Sequence, residues 1–214
     1  MTAWRLTFLA AALAGTAIAA QADDDLTPAL ASIEDRWTAV RYEIKTDPQK
    51  LAAVHDLERD AAALMQAHPL SVEARVWYAL TLLAEADVRH NASALPLVRE
   101  ARGLLEEAQA QPSTMQVQIL NALGDLYAQV PGWPIGFGDK KKAGELLQKA
   151  LAINPRGIDP NFFYGEYLVE TKRPEEAVAY LERALQAPAR PGRQIADAGR
   201  REEARTLLDR IKAK

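Results

Sequence analysis

A chain of 214 residues is long enough to bury a full core, and its formal net charge of −3 offers no basic face for nucleic acid. It contains no cysteine, which excludes disulfides, thiolate zinc sites, thiol catalysis and a bacterial lipoprotein anchor. Alanine and leucine dominate while β-branched residues are sparse, which favours helix over strand.

The chain opens as a secretory signal. Arg5 supplies a positive start, residues 6–19 are apolar or small without a break, and two A-x-A patterns follow, Ala17-Ile18-Ala19 and Ala20-Gln21-Ala22. Cleavage is expected after Ala22, so that Asp23-Asp24-Asp25 begins the mature chain. The apolar run is shorter than the roughly 20 residues that a membrane span requires, and no later stretch is apolar enough to cross a bilayer. Losing residues 1–22 removes Arg5 and no acid, which takes the net charge from −3 to −4. The expectation is one domain over 23–214, exported to a bacterial periplasm.

Beyond the signal, helix starts are written plainly. Thr27-Pro28, Asp47-Pro48 and Asp159-Pro160 each set a capping side chain before a proline, whose missing N–H costs nothing at a first helical position. Ser71, Ser113 and Asp139 are further cap candidates. The pattern predicts nine helices, near 28–45, 49–67, 72–90, 94–110, 114–129, 140–153, 160–171, 174–187 and 197–212, and no sheet. Their apolar residues fall on stripes, such as Leu97, Ala101, Leu104, Leu105 and Ala108, or Ala143, Leu146, Leu147, Ala150 and Leu151.

Within 117–191 one pattern occurs twice. Leu123-Gly124, Tyr127, Ala143, Leu147, Ala150 and Pro155 form the first copy; Tyr164-Gly165, Leu168, Ala177, Leu181 and Ala184 form the second. Pro155 to Gly165 is ten residues and Gly165 to Ala177 is twelve. Small residues at these positions let paired helices approach closely.

These spacings resemble the tetratricopeptide repeat (TPR) family, whose units are 34-residue helical hairpins that stack. The resemblance implies an all-α, TPR-like stack of antiparallel hairpins, an α-solenoid. Its expected parts are an N-terminal hairpin at 28–67, a degenerate repeat at 72–114, a repeat at 117–157, a regular repeat at 158–191 and a capping helix at 197–212. The repeat at 117–157 departs from the family: Gly124 to Ala143 is nineteen residues, seven too many. The excess is a proline- and glycine-rich insertion, 130–136, which reads as a loop carrying Trp133 and Ile135, with Phe137 just beyond it. Trp133 is either an interface anchor or a plug folded onto its own hairpin, and the plug is the expectation.

Nothing in the chain reads as a catalytic site, a metal site or a cofactor site. His55, His68 and His90 have no ligand spacing. Gly136-Phe137-Gly138-Asp139-Lys140-Lys141-Lys142 misses the Walker pattern. Three lysines oppose the dipole of the helix they open, with Asp139 alone in compensation, which points mildly to an outside anionic contact. Paired acids such as Glu106-Glu107, Glu175-Glu176 and Glu202-Glu203 are neighbours in sequence and do not face each other on a helix.

In TPR arrays the first helix of each hairpin lines a concave face that holds the partner. The resemblance assigns Gln118, Asn121, Asp125, Ala128 and Gln129 to that face from one repeat, and Asp159, Phe162, Glu166, Val169 and Glu170 from the next. Asn121, Asp125, Phe162, Glu166 and Glu170 are the expected partner contacts, although Asp159 could simply cap its helix and Phe162 could be core. Such an acidic groove suits a basic or amine-bearing partner. The expectation is a non-enzymatic interaction module for a protein or peptide. The loop followed by Gly-Asp-Lys-Lys-Lys-Ala is also similar to the periplasmic TPR-like T-components of TRAP transporters, which implies a small ligand or a solute-binding partner; those proteins are typically lipoproteins, and the absent cysteine departs from them.

Overall fold

The computed structural model describes residues 12–89 and 92–213. Half of the expected signal peptide, 1–11, lies outside the described residues, as does His90. The elements are α1 (Ala12–Tyr42), α2 (Asp47–Ala67), α3 (Val72–Arg89), a short 3-10 turn (Ala92–Ala94), α4 (Leu95–Gln109), α5 (Gln116–Gln129), α6 (Lys140–Ile153), α7 (Ile158–Glu170), α8 (Pro174–Gln186) and α9 (Gln194–Lys212). No strand occurs among the described residues.

Three helix starts follow from side-chain capping. The Asp139 carboxylate accepts bonds from the Lys141 and Lys142 amides at 3.0 Å each, opening α6. Ser71 Oγ accepts from the Ala74 amide at 3.1 Å at the head of α3. Ser113 Oγ accepts from the Met115 amide at 3.0 Å, just before α5. Three expected starts differ. Thr46, not Asp47, stands at the head of α2, and Asp47 is already helical. Pro28 lies inside α1 on its exposed side, so Thr27-Pro28 begins no helix. Gly157 stands at the head of α7 and leaves Asp159 without a capping role; its carboxylate is drawn to two arginines instead.

Hairpins α3/α4, α5/α6 and α7/α8 pack side by side. Within a hairpin, the glycine positions explain how closely the two helices approach. A Cβ on Gly124 would sit 2.5 Å from Leu147 Cγ, and one on Gly165 would sit 2.9 Å from Leu181. Ala143 and Ala177, opposite them, are wholly buried. Leu123, Leu147, Leu168 and Leu181 fill the space between hairpins and are almost completely removed from water.

The stack does not end in an open face. α9 packs on α7 and α8 and also reaches back to α1, so the last helix touches the first. Gly199 permits this contact, because a Cβ there would overlap the Tyr42 ring. Two ion pairs hold it, Arg193 with Glu34 at 2.5 Å and Arg41 with Glu203 at 3.2 Å. The sequence pattern makes α9 a cap with one face in water, and α9 does expose one face, with Glu202, Arg205 and Asp209, but its buried face also carries charge. Its charged residues Asp197 and Arg200 are buried, because they meet partners on α7, on α9 itself and on the α8–α9 connection.

A candidate binding cavity on the inner face

Closing α9 onto α1 encloses a cavity of about 650 Å³ between the helices. One wall is apolar: Trp77, Leu80 and Leu83 from α3, with Leu95 and Val98 from α4. Trp37 of α1 joins them, its ring edge-on to Trp77 at 6.1 Å and its indole N–H donated to the Leu80 carbonyl at 3.0 Å. The other wall is charged and comes from α7, α9, the end of α1 and the α8–α9 connection. Between them runs α5, presenting Gln118, Asn121, Asp125 and Gln129.

The charged wall is not simply acidic. Arg41, Arg190, Arg193 and Arg200 stand there among Glu34, Asp87, Asp125, Asp159, Glu166, Asp197 and Glu203. Each arginine is already paired. Arg41 binds Asp87 at 2.6 Å as well as Glu203. Arg190 binds Asp159 at 2.5 Å and Asp197 at 2.7 Å. Arg193 holds Glu34. Arg200 binds Asp159 at 3.0 Å and Glu203 at 2.6 Å, with its guanidinium 4.5 Å from each of the Phe162 and Phe163 rings. Burial works against an ionised Asp159, but the charges of Arg200 and Arg190 outweigh it and hold the carboxyl below its ordinary value.

Two carboxylates on the inner face have no ion-pair partner among the described residues, Asp125 and Glu166. Burial raises the Asp125 carboxyl to about 6, against the pull of Arg41 and a hydrogen bond with Gln129. Burial, joined by the charge of Asp125, raises Glu166 to about 8 despite Arg200. On the same face of α5 as Asp125, Asn121 is 2% exposed and neither end of its amide has a hydrogen-bond partner. A buried amide with its donor and acceptor both unmet costs free energy unless something arrives to satisfy it.

Asn121, Asp125 and Glu166 are therefore brought together, in agreement with the repeat register. Phe162 is apart from Asn121 and Asp125. It is 4% exposed beneath Arg200 and lines, with Glu166, a second cleft against α9, while its neighbour Phe163 lines the cavity. The cause is α9, whose Arg200 guanidinium lies over the Phe162 ring and covers it. Glu170 lies one turn past Glu166 and outside the lining, its carboxyl raised by burial and by Asp125. Ala128 and Val169 also pack away from the cavity.

The insertion divides its residues differently from expectation. Trp133 is 90% exposed and plugs nothing. Phe137 takes the inward place, edge-on to Tyr127 at 5.6 Å and 4.3 Å beneath the Arg102 guanidinium. Glycine makes that fold possible: a Cβ on Gly138 would overlap the Val130 carbonyl oxygen, and one on Gly136 would overlap the Pro131 oxygen. The loop thus turns back at Phe137 and leaves its Trp133 tip in water. Ile135 is 67% exposed and stands at the cavity rim.

Two of the three lysines heading α6 have internal side-chain partners. Lys142 Nζ donates to the Tyr127 hydroxyl at 2.5 Å and to Glu106 at 3.1 Å, and Lys140 Nζ donates to the Glu170 carbonyl at 3.1 Å. These contacts answer the dipole mismatch without an outside anion. His55 Nε2 lies 3.2 Å from the buried Glu85, which also pairs with Arg89. Among the described residues no group of three acids or histidines could hold a metal ion, and no helix is long and apolar enough to cross a membrane.

What these features define is a closed stack of helical hairpins with a mixed apolar and charged cavity on its inner face. Residues 158–190 match the family described as tetratricopeptide repeat, so the chain carries such a repeat at the segment of regular spacing. Among solved structures, one titled "Crystal structure of MamA" is similar over 79% of this chain and 94% of its own, at 18% identity and a TM-score of 0.46. Comparison with curated proteins finds no significant match.

Proposed function

We propose that this chain is an exported, non-catalytic interaction module that holds a cationic group of its partner on the inner face of the stack. The carrying observation is that Asp125 and Glu166 lack ion-pair partners among the described residues while all four arginines around them are committed. An arriving ammonium or guanidinium ion would supply the missing countercharge to both carboxylates, and like charge would keep acidic segments out. Export to a bacterial periplasm is supported by Arg5, the apolar run 6–19 and the A-x-A patterns. Cleavage after Ala22 would keep in the mature chain the α1 residues described in the core, among them Leu30, Ile33 and Trp37.

The enclosure of the cavity favours a second source for the cation, a small ligand of the kind implied by the likeness to TRAP-transporter T-components. Both readings share one test. The full chain is titrated calorimetrically with a lysine-rich and a glutamate-rich peptide of equal length. The basic peptide is expected to bind, more weakly as salt rises, and the Asp125→Lys/Glu166→Lys variant is expected to lose it. Equal binding of both peptides, or undiminished binding by the variant, would place the partner elsewhere.

A further inference from the structure

The cavity specifies more than a positive charge. Asn121 and Asp125 are four residues apart on α5, so their side chains stand about 6 Å apart along one face. Asn121 offers both a donor and an acceptor, neither of them engaged. An amide group, which also carries one donor and one acceptor, matches it with two bonds. Across from the charged wall, Trp77 and Leu83 of α3 and Val98 of α4 present apolar surface to the same space. A volume of about 650 Å³ lies within the range that encloses a small organic molecule.

We infer that the cavity is a site for a primary amine carried on an apolar stem, with an amide about one helical turn from the amine. The ammonium lies between Asp125 and Glu166, the amide pairs with Asn121, and the apolar body rests on Trp77, Leu83 and Val98. This inference rests on the reading of Asp125 and Glu166 as a cation site and adds the rest of the ligand. The four-carbon stem of lysine separates its amine from a backbone amide by a similar distance. A partner's lysine and a free acylated diamine therefore satisfy the same geometry.

The test uses the full chain and three probes: N-octanoyl-1,5-diaminopentane, its amine-free analogue N-pentyloctanamide, and a short acetylated and amidated peptide with one central lysine. Binding is read by calorimetry and by the emission of Trp37 and Trp77. The acyl diamine is expected to bind at one site, at least tenfold tighter than the amine-free analogue. Asn121→Leu should weaken it about tenfold with the thermal transition retained. Leu83→Trp, which fills the cavity, should abolish it. Tighter binding of the acyl diamine than of the peptide identifies a free amphiphilic amine as the source; the reverse identifies a partner's lysine; both support the site. Equal affinity for the amine-free analogue would overturn the cation reading itself. Binding unaffected by Asn121→Leu and Leu83→Trp would overturn the cavity site while leaving a cation-binding surface in place, as would failure of both amine probes when a lysine-rich peptide still binds.

Discussion

Removing the charge of Glu166 should make the protein more stable in mild alkali. The carboxyl is raised to about 8 by burial and by Asp125, so near neutrality it is protonated when folded and ionised when unfolded. Folding then takes up a proton, and stability from this group is greatest below the ordinary carboxylate range and is lost as pH rises toward 8. Moving a glutamate that far costs the ionised folded state roughly 4–5 kcal/mol if nothing relaxes. Water admitted by the cavity, the Arg200 charge and proton sharing with Asp125 bring the expected loss between pH 5.5 and 8.5 to about 1–2 kcal/mol. Glu166→Gln keeps the shape and removes the titration. Its thermal midpoint at pH 8.5 should exceed that of the wild type by about 3–8 °C, converging toward pH 5.5. Glu58, raised to about 7 by burial and by its bond to Glu85, titrates in the same window and remains in the variant, so the comparison isolates Glu166. Parallel melting curves against pH for the two proteins would refute the reasoning. A cation bound at the site should also release protons near neutrality, measurable as a dependence of binding heat on the ionisation enthalpy of the buffer.

Other substitutions test the packing. Gly165→Leu places a branched side chain where a Cβ alone already meets Leu181 at 2.9 Å, and should destabilise by roughly 1–3 kcal/mol in urea unfolding; an unchanged midpoint would mean that α7 and α8 are not so close. Arg200→Ala leaves Asp159 in a buried site without one of its two cations, and should cost about 3–5 kcal/mol, partly restored by adding Asp159→Asn. Trp133→Ala should change stability by less than about 0.5 kcal/mol, whereas Phe137→Ala should cost about 2 kcal/mol through its lost contacts with Tyr127 and Arg102; the opposite order in thermal melts would reverse their assigned positions.

What can be read from the sequence is what depends on local spacing. Helix periodicity and capping residues place eight of the nine helices within about three residues, because each signal lies inside the segment it governs. The ten-residue step from Pro155 to Gly165 is enough to aim Asn121, Asp125 and Glu166 at a common face. The repeat register aims Phe162 at the same side as Glu166, four residues on, but it carries no sign of α9, whose Arg200 covers the Phe162 ring. In the insertion, aromatic content alone cannot say whether Trp133 or Phe137 turns inward. That choice belongs to Gly136 and Gly138, whose missing side chains let the loop backbone double onto Val130 and Pro131.

The contact least legible beforehand also decides what the inner face can hold. Taken repeat by repeat, the concave side is an open acidic groove, because Asp125 and Glu166 come from the repeats while Arg41, Arg190, Arg193 and Arg200 come from the two ends of the chain. Nothing local couples Tyr42 to Gly199 or Glu34 to Arg193, which are more than 150 residues apart. Once the ends meet, most of the acid is neutralised internally and the groove becomes a bounded cavity. The same closure that would exclude a long extended peptide sharpens recognition of a short one. It leaves two carboxylates without an ion-pair partner and one amide without a hydrogen-bond partner in a space with an apolar floor, where an unmet polar group costs more than it would in water. Selectivity in such a site comes from the ligand that satisfies all three groups at once, and a ligand lacking any one of them must bury the remainder unpaired.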